Sequence, residues 1–184
     1  MEVYIRALFS IFKYLKYKFL YRDKAKIGFP QSWGKRYSLA MEGKNAKAII
    51  GRKNVTRDNV TIRVKNGRIE IGDKCFFNSN VSITCVESIK IGSNCQFANN
   101  VVIVDHDHVY RMGLNPELIS SAVNIGNNVW VGANVVILRG SIIGDNAVIA
   151  AGSVVRGVIP PNNLFYQKRT NYLKKYEIMG EENE

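Results

Sequence analysis

The sequence predicts an all-β solenoid, because apolar residues recur with a period of six between residues 71 and 155. These anchors fall in three runs, and the last run is unbroken from residue 125 onward. The anchors are Ile71, Phe77, Ile83, Ile91, Phe97, Ile103, Ile125, Val131, Ile137, Ile143, Ile149 and Val155. A glycine directly follows several anchors, and the fourth residue after an anchor is usually small. Coiled coils and α-helices lack this period, whereas short parallel strands stacked coil on coil have it.

The start and end of the repeat divide the chain into four segments. Residues 1–26 are predicted to be an N-terminal amphipathic, basic helix, and residues 27–66 an irregular segment with the first strands. Residues 67–163 form the predicted β-solenoid domain, which a loop excursion at 104–124 interrupts. Residues 164–184 are expected to form a basic and acidic tail or a short basic helix.

The segment 3–21 has helical periodicity, with an apolar stripe and basic residues beside it. The stripe consists of Val3, Ala7, Leu8, Ile11, Phe12, Leu15 and Phe19. Two interpretations stay open: the helix packs on the protein or its oligomer, or it contacts an anionic membrane. The chain lacks the run of ~18 apolar residues needed to span a membrane, and no signal-peptide cleavage site follows the helix. We therefore expect a cytoplasmic protein, free or peripheral to the inner face of the cytoplasmic membrane.

Charge and cysteine content limit the expected partners and the cellular compartment. The formal net charge is +11, from 26 Lys and Arg against 15 Asp and Glu, which favours an anionic partner. No nucleic-acid-binding motif accompanies this charge, so nucleic acid is not the expected partner. Cys75, Cys85 and Cys95 form no CxxC pair, which argues against disulfides and zinc and suits a reducing compartment.

The excursion at 104–124 is the predicted functional loop. It contains both histidines of the chain, His106 and His108, which follow Asp105 and Asp107. Long excursions from a regular scaffold are usually functional, and imidazole is the side chain best suited to exchange protons near neutral pH.

These features resemble the hexapeptide-repeat acyltransferases, whose fold is a left-handed parallel β-helix, over roughly residues 50–163. The excursion resembles that of the sugar O-acetyltransferases, which include the galactoside and maltose enzymes. The matching motif is Ile125-Gly126-Asn127-Asn128-Val129-Trp130-Val131-Gly132, and the interval from His106 to Trp130 is that of the galactoside enzymes. The resemblance implies transfer of acetyl from acetyl-CoA to a sugar hydroxyl. It also implies a homotrimer with active sites between subunits.

The resemblance also implies roles for individual residues. His106 would be the general base, and Asp105 would either orient its imidazole or cap the turn. Trp130 would lie beside the acceptor or the thioester arm, unless a subunit interface buries it. Asn78 would contact the acceptor, unless it belongs to an asparagine stack of the solenoid. Further acceptor contacts are expected from His108, Tyr110 and Arg111.

For acetyl-CoA, the family pattern implies backbone contacts along the coils at Ala133 and Ala151, with Arg156 and Gly157 nearer the nucleotide. Charge for the phosphates could come from Lys168, Arg169 and Lys174, which could equally form a solvated helical face. The sequence after Asn163 departs from the family pattern. No metal is expected, because the related zinc-dependent carbonic anhydrases need three histidines and this chain has two.

The predicted acceptor is a sugar of a bacterial surface polysaccharide or of its precursor. Two other functions stay open at this point. One is N-acetylation of an amino-sugar nucleotide, which the arrangement of His106 and Trp130 matches less well. The other is a non-catalytic solenoid scaffold associated with the membrane.

Overall fold

The computed structural model describes residues 2–109, 118–168, 170 and 173, with side chains from residue 9 onward. Within these residues, one α-helix, α1 (Glu2–Leu20), precedes a series of short strands. The strands are β1 (Ala25–Ile27), β2 (Ser38–Glu42), β3 (Lys47–Ile50), β4 (Val55–Thr56), β5 (Thr61–Lys65), β6 (Arg68–Ile71), β7 (Phe76–Phe77), β8 (Ser82–Cys85), β9 (Ser88–Ile91), β10 (Gln96–Phe97), β11 (Val102–Val104), β12 (His106–His108), β13 (Leu118–Ser120), β14 (Val123–Ile125), β15 (Trp130–Val131), β16 (Val136–Ile137), β17 (Ile142–Ile143), β18 (Val148–Ile149), β19 (Val154–Val155), β20 (Val158–Ile159) and β21 (Leu164–Phe165).

All strands except β12 and β13 belong to three parallel sheets, as the six-residue repeat predicts. Sheet A has the order β1-β3-β6-β9-β14-β17-β20, sheet B β4-β7-β10-β15-β18-β21, and sheet C β2-β5-β8-β11-β16-β19. Each coil of the chain adds a strand to A, then B, then C, so the sheets form the sides of a triangular prism. We name the prism edges AB, BC and CA after the sheets that the chain leaves and enters.

The predicted anchors fill the interior of the prism and are buried. Phe77 and Phe97 stack on consecutive coils with ring centroids 4.9 Å apart. Cys75, Cys85 and Cys95 are free thiols in this interior. Burial, and secondly the nearby Asp105 carboxylate, raises the pKa of the Cys85 thiol. This thiol is therefore kept in its protonated, unreactive form.

Asparagines turn the chain at the BC edge. Asn59, Asn80, Asn100 and Asn134 have positive φ angles of 58°, 64°, 61° and 57°. Each of the first three donates from its side-chain amide to the side-chain oxygen of the next, at 2.9, 3.0 and 2.9 Å. Asparagine tolerates this left-handed conformation better than most residues, so the ladder supports the corner of every coil that it crosses.

The segment 27–66, expected to be irregular with the first strands, is more regular than that, because it forms coils of the same solenoid. Its strands occupy the regular positions in the three sheets. The strands pair Ala48 with Ile69 in an early coil but Ile125 with Ile143 in a later one, which makes the early coil three residues longer. Longer corners shift the six-residue register without emptying the interior, and this conceals the repeat.

The end of the solenoid also lies beyond the expected boundary at residue 163. Strand β21 pairs with β18 through Leu164 and Phe165, so the first residues assigned to the tail still belong to sheet B. Most of the predicted C-terminal helix or tail lies outside the described residues.

Helix α1 packs on the first coil, but not through its apolar stripe. The packed positions recur at steps of three and four and are Ser10, Lys13, Tyr14, Tyr17 and Tyr21. The stripe residues Ile11, Phe12, Leu15 and Phe19 are exposed instead.

The polar groups of the packed side explain this orientation. The Tyr17 hydroxyl lies 3.4 Å from the Tyr37 carbonyl, to which it donates, and 3.2 Å from the Leu39 N–H, from which it accepts. Ser10 accepts a 2.8 Å hydrogen bond from the Trp33 N–H. In the described residues the first coil has no neighbouring coil on this side, so its backbone groups need such partners, and the apolar stripe has none to offer. In the described part of the chain, no helix is long and apolar enough to cross a membrane.

Candidate active site

The predicted excursion leaves the prism at the CA edge, between β11 and β14. Its two ends, β12 and β13, form an antiparallel pair in which His106 faces Ser120 and His108 faces Leu118. The Asp105 carbonyl accepts a 2.9 Å hydrogen bond from the Ser121 N–H, which closes the base of this hairpin. Tyr110 and Arg111, two of the expected acceptor contacts, lie outside the described residues.

Asp105 is fully buried at the foot of the hairpin. Its carboxylate accepts hydrogen bonds from the Val86 N–H, at 2.9 and 3.1 Å to its two oxygens, and from the Glu87 N–H at 2.8 Å. Val86 and Glu87 form the CA corner of the coil beneath. A buried carboxylate requires partners of this kind, so the preceding corner fixes the position of Asp105.

The same carboxylate lies 3.1 Å from Nδ1 of His106. Asp105 therefore makes both of the contacts that the sequence left open, because it accepts hydrogen bonds at the turn and contacts the imidazole. A carboxylate only accepts hydrogen bonds, so in the neutral imidazole this contact favours the proton on Nδ1 and the lone pair on Nε2. The His106 side chain is 16% exposed, and the described residues include no hydrogen-bond partner for Nε2. This arrangement can accept a proton from a bound molecule.

His108 has different surroundings, although Asp107 precedes it. Asp107 receives a 2.7 Å charge-assisted hydrogen bond from Nε of Arg139, at the CA corner of the next coil. His108 is exposed, and its ring centroid lies 6.5 Å from that of His106. No described carboxylate orients it. The arginine thus ties the hairpin to the coil above, a contact that joins residues far apart in sequence and that the sequence did not reveal.

Trp130 and Asn78 lie on a different side of the prism. Trp130 is in β15 of sheet B, between Gln96 and Val148, and its outward side chain is 45% exposed. Asn78 follows β7 at the BC edge, where its side-chain oxygen accepts a 2.9 Å hydrogen bond from the Ser79 N–H. Asn78 is not a rung of the asparagine ladder, which runs through Asn80 instead.

The residues expected to bind acetyl-CoA also divide between two edges. Ala133 and Ala151 occupy the BC edge on consecutive coils, where the Gly152 N–H donates to the Ala133 carbonyl at 2.7 Å. Arg156 and Gly157 occupy the CA edge after β19, and the space around Gly157 is open. Lys168 is exposed beyond β21. Arg169 and Lys174 lie outside the described residues.

The candidate residues therefore form two groups. The CA group is Asp105, His106, His108, Arg156 and Gly157, and the sheet-B group is Asn78, Trp130, Ala133 and Ala151. In a triangular prism the CA edge lies opposite sheet B, which contains Trp130, and the width of sheet C separates it from the BC edge, where the other three residues of that group lie. A single chain therefore does not bring the two groups together.

Comparisons with known proteins identify the solenoid. Residues 122–157 match the profile described as bacterial transferase hexapeptide (six repeats), and residues 68–104 match that described as hexapeptide repeat of succinyl-transferase. These two stretches of the chain carry hexapeptide repeats, and the fold is the left-handed parallel β-helix predicted from the repeat and the resemblance.

Curated relatives resemble the chain over their repeat regions. A candidate lipopolysaccharide biosynthesis O-acetyl transferase of Escherichia coli K12 is 39% identical over 121 residues, which cover 60% of this chain and 62% of the relative. The galactoside O-acetyltransferase of the same strain is 43% identical over 96 residues, which cover 51% of this chain and 47% of that relative. The chain thus spans about half to three fifths of the length of these relatives.

Solved structures share the fold. A mutant N-acyltransferase from Bacillus cereus, in complex with dTDP and coenzyme A, superposes with a TM-score of 0.66 at 15% identity, covering 76% of each chain. At that identity the likeness concerns the fold alone. A hexapeptide-repeat-containing acetyltransferase from Vibrio cholerae, in complex with acetyl coenzyme A, gives a TM-score of 0.53 at 27% identity, covering 82% of this chain and 69% of the other.

Proposed function

We propose that this protein is an O-acetyltransferase that transfers acetyl from acetyl-CoA to a sugar hydroxyl of a bacterial surface polysaccharide or its precursor. The observation that carries the proposal is the buried Asp105 carboxylate, which holds Nδ1 of His106 and leaves Nε2 without a described partner. The names of the curated relatives support acetyl transfer to oxygen, and one of them supports a surface glycan.

His106 supplies the chemistry that a sugar hydroxyl needs, because a neutral hydroxyl is a poor nucleophile. Its Nε2 removes the hydroxyl proton as the sugar oxygen attacks the thioester carbonyl of acetyl-CoA. The C–S bond then breaks, and the imidazolium returns its proton to the departing CoA sulfur. Asp105 stabilises the imidazolium between these two steps. The products are an acetyl ester and free CoA, and no acyl-enzyme is required.

The division of the candidate residues supports a homotrimer. In a cyclic trimer, the CA edge of one copy can face sheet B of its neighbour. The Asp105–His106 pair of one copy would then meet Trp130 and Asn78 of the next. Trp130 would be covered there, as an outward tryptophan requires. The backbone corners at Ala133, which is half-buried, and Ala151, which is exposed, would accommodate the pantetheine arm, since their side chains are small.

The two alternative functions have weaker support. The N-acyltransferase structures share the fold at 15% identity, whereas two relatives found by sequence are named for oxygen as the acceptor. A non-catalytic scaffold gives no reason for a buried carboxylate to orient a partly exposed imidazole.

One assay separates all three functions. The full chain is incubated with acetyl-CoA and a panel of surface-polysaccharide sugars and amino-sugar nucleotides, and CoA release is followed with a thiol reagent. We expect release that depends on the acceptor, and a product that mild base hydrolyses, because esters are base-labile and amides are not. A product that resists base would favour N-acetylation, and no turnover across the panel would favour a scaffold. Location at the inner face of the membrane is a separate proposal that concerns helix α1.

A further inference from the structure

The net positive charge is concentrated at one end of the molecule. Residues 1–74 contain 18 Lys and Arg and 6 Asp and Glu, whereas residues 75–184 contain 8 and 9. The first segment is therefore +12 and the second −1. The first segment comprises α1 and the coils closest to it, so the end of the prism that α1 covers is strongly basic.

The exposed side of α1 at this end is apolar. We define the outer face of α1 as Phe9, Phe12, Leu15 and Phe19, all exposed, with Phe12 at 67% and Phe19 at 85%. The packed side of the helix faces the opposite way and already has its partners in the first coil. Aromatic side chains exposed to this extent in one row are unusual on a protein surface unless another surface covers them.

Basic side chains surround the outer face. Lys16 and Lys18 are exposed on the same helix. Beside its C-terminal end is an open depression of ≈ 460 Å³, in which Lys18, Arg22 and Lys26 lie next to apolar residues such as Ile27 and Ile49. Long basic side chains beside an apolar helix face are typical of helices that lie in the plane of a membrane interface.

We propose that the outer face of α1 docks on an anionic lipid surface. The aromatic and leucine side chains would enter the boundary between headgroups and acyl chains, and the basic residues would contact lipid phosphates. A second copy of this chain fits less well as the occupant, because two ends of charge +12 repel each other. Anionic lipid attracts this charge instead. The proposal does not depend on the enzymatic activity.

The test is flotation of the full chain with vesicles of phosphatidylcholine alone or mixed with phosphatidylglycerol. We expect binding to the mixed vesicles that weakens as salt rises. Phe12→Gln combined with Phe19→Gln should lower the partition coefficient about tenfold or more, whereas Phe12→Leu with Phe19→Leu should retain most of it. Lys18→Glu should lower it by at least about fivefold, and Lys90→Glu, an exposed lysine in a later coil, should have little effect.

Three results would overturn the proposal. The first is equal binding to both kinds of vesicle, or binding to neither. The second is a glutamine double variant that keeps its thermal unfolding transition and still binds like the unaltered protein. The third is a glutamine double variant whose molecular mass by light scattering differs from that of the unaltered protein while its vesicle binding does not. That result would assign the outer face to a second copy. If the double variant does not fold, the Lys18 and Lys90 variants decide.

Discussion

The hairpin contains two successive Asp-His dipeptides, and the structure gives them different environments. Asp105 is buried on the corner formed by Val86 and Glu87, and its carboxylate also contacts Nδ1 of His106. Asp107 is 38% exposed at its side chain and is engaged by Arg139, which leaves His108 without a described carboxylate. Identical dipeptides thus acquire different chemistry from the coils below and above them. Only the first has the arrangement of an oriented base.

The largest expected difference between the dipeptides is in turnover. His106→Ala should lower kcat by roughly 10²–10⁴, the usual contribution of a general base, with acetyl-CoA affinity nearly unchanged. His108→Ala, the matched control in the same hairpin, should cost far less. Turnover assays with a fixed acceptor measure both.

Equal losses at the two histidines would remove the distinction between the dipeptides. If the His106→Ala enzyme were fully active, His106 would be excluded as the base, and Asp105 and Asp107 would become the candidates.

A smaller effect is expected from Asp105→Asn. The amide can donate to Nδ1 of His106 and so favour a proton on Nε2, the wrong nitrogen for a base. Turnover should fall by at least ~10-fold, but by no more than in His106→Ala. The buried amide also loses acceptor capacity for Val86 and Glu87, so thermal denaturation should show a loss of roughly 1–3 kcal/mol in unfolding free energy. Wild-type turnover in this variant would mean that His106 needs no orientation.

The smallest effect is expected from Asp107→Asn. Its ion pair with Arg139 is partly exposed, and such pairs contribute about 0–1 kcal/mol to stability. We expect nearly unchanged unfolding and turnover within a few-fold of the wild type, measured beside Asp105→Asn. A loss as large as that of Asp105→Asn would show that Arg139 positions the hairpin for catalysis.

The sequence predicted the solenoid because its interior accepts one anchor per strand, which makes the period visible in residues such as Ile137 and Ile143. It did not predict the coils within 27–66, because corners of variable length shift that period. The apolar stripe of α1 was also visible, but periodicity shows only that an apolar face exists. Which side of the helix packs on the first coil depends on the backbone N–H and C=O groups of that coil, which hydrogen-bond to Tyr17 and Ser10.

The candidate site was predictable only where its residues form a local pattern in the sequence. The excursion and its histidines are visible in the sequence, and the interval from His106 to Trp130 distinguished His106 from His108. The amide groups of Val86 and Glu87 and the guanidinium of Arg139 were not predictable. They come from neighbouring coils, and no local pattern connects them to the hairpin.

The most direct test of the account is the side-chain nitrogen NMR spectrum of the histidines in the full chain, recorded where both imidazoles are neutral. The chain has two histidines, so a His108→Gln variant assigns both sets of signals. The account predicts that His106 carries its proton on Nδ1 and that Nε2 is unprotonated, whereas His108 shows no such fixed preference. A proton found on Nε2 of His106 would contradict the account, because that imidazole could not accept a proton from the sugar.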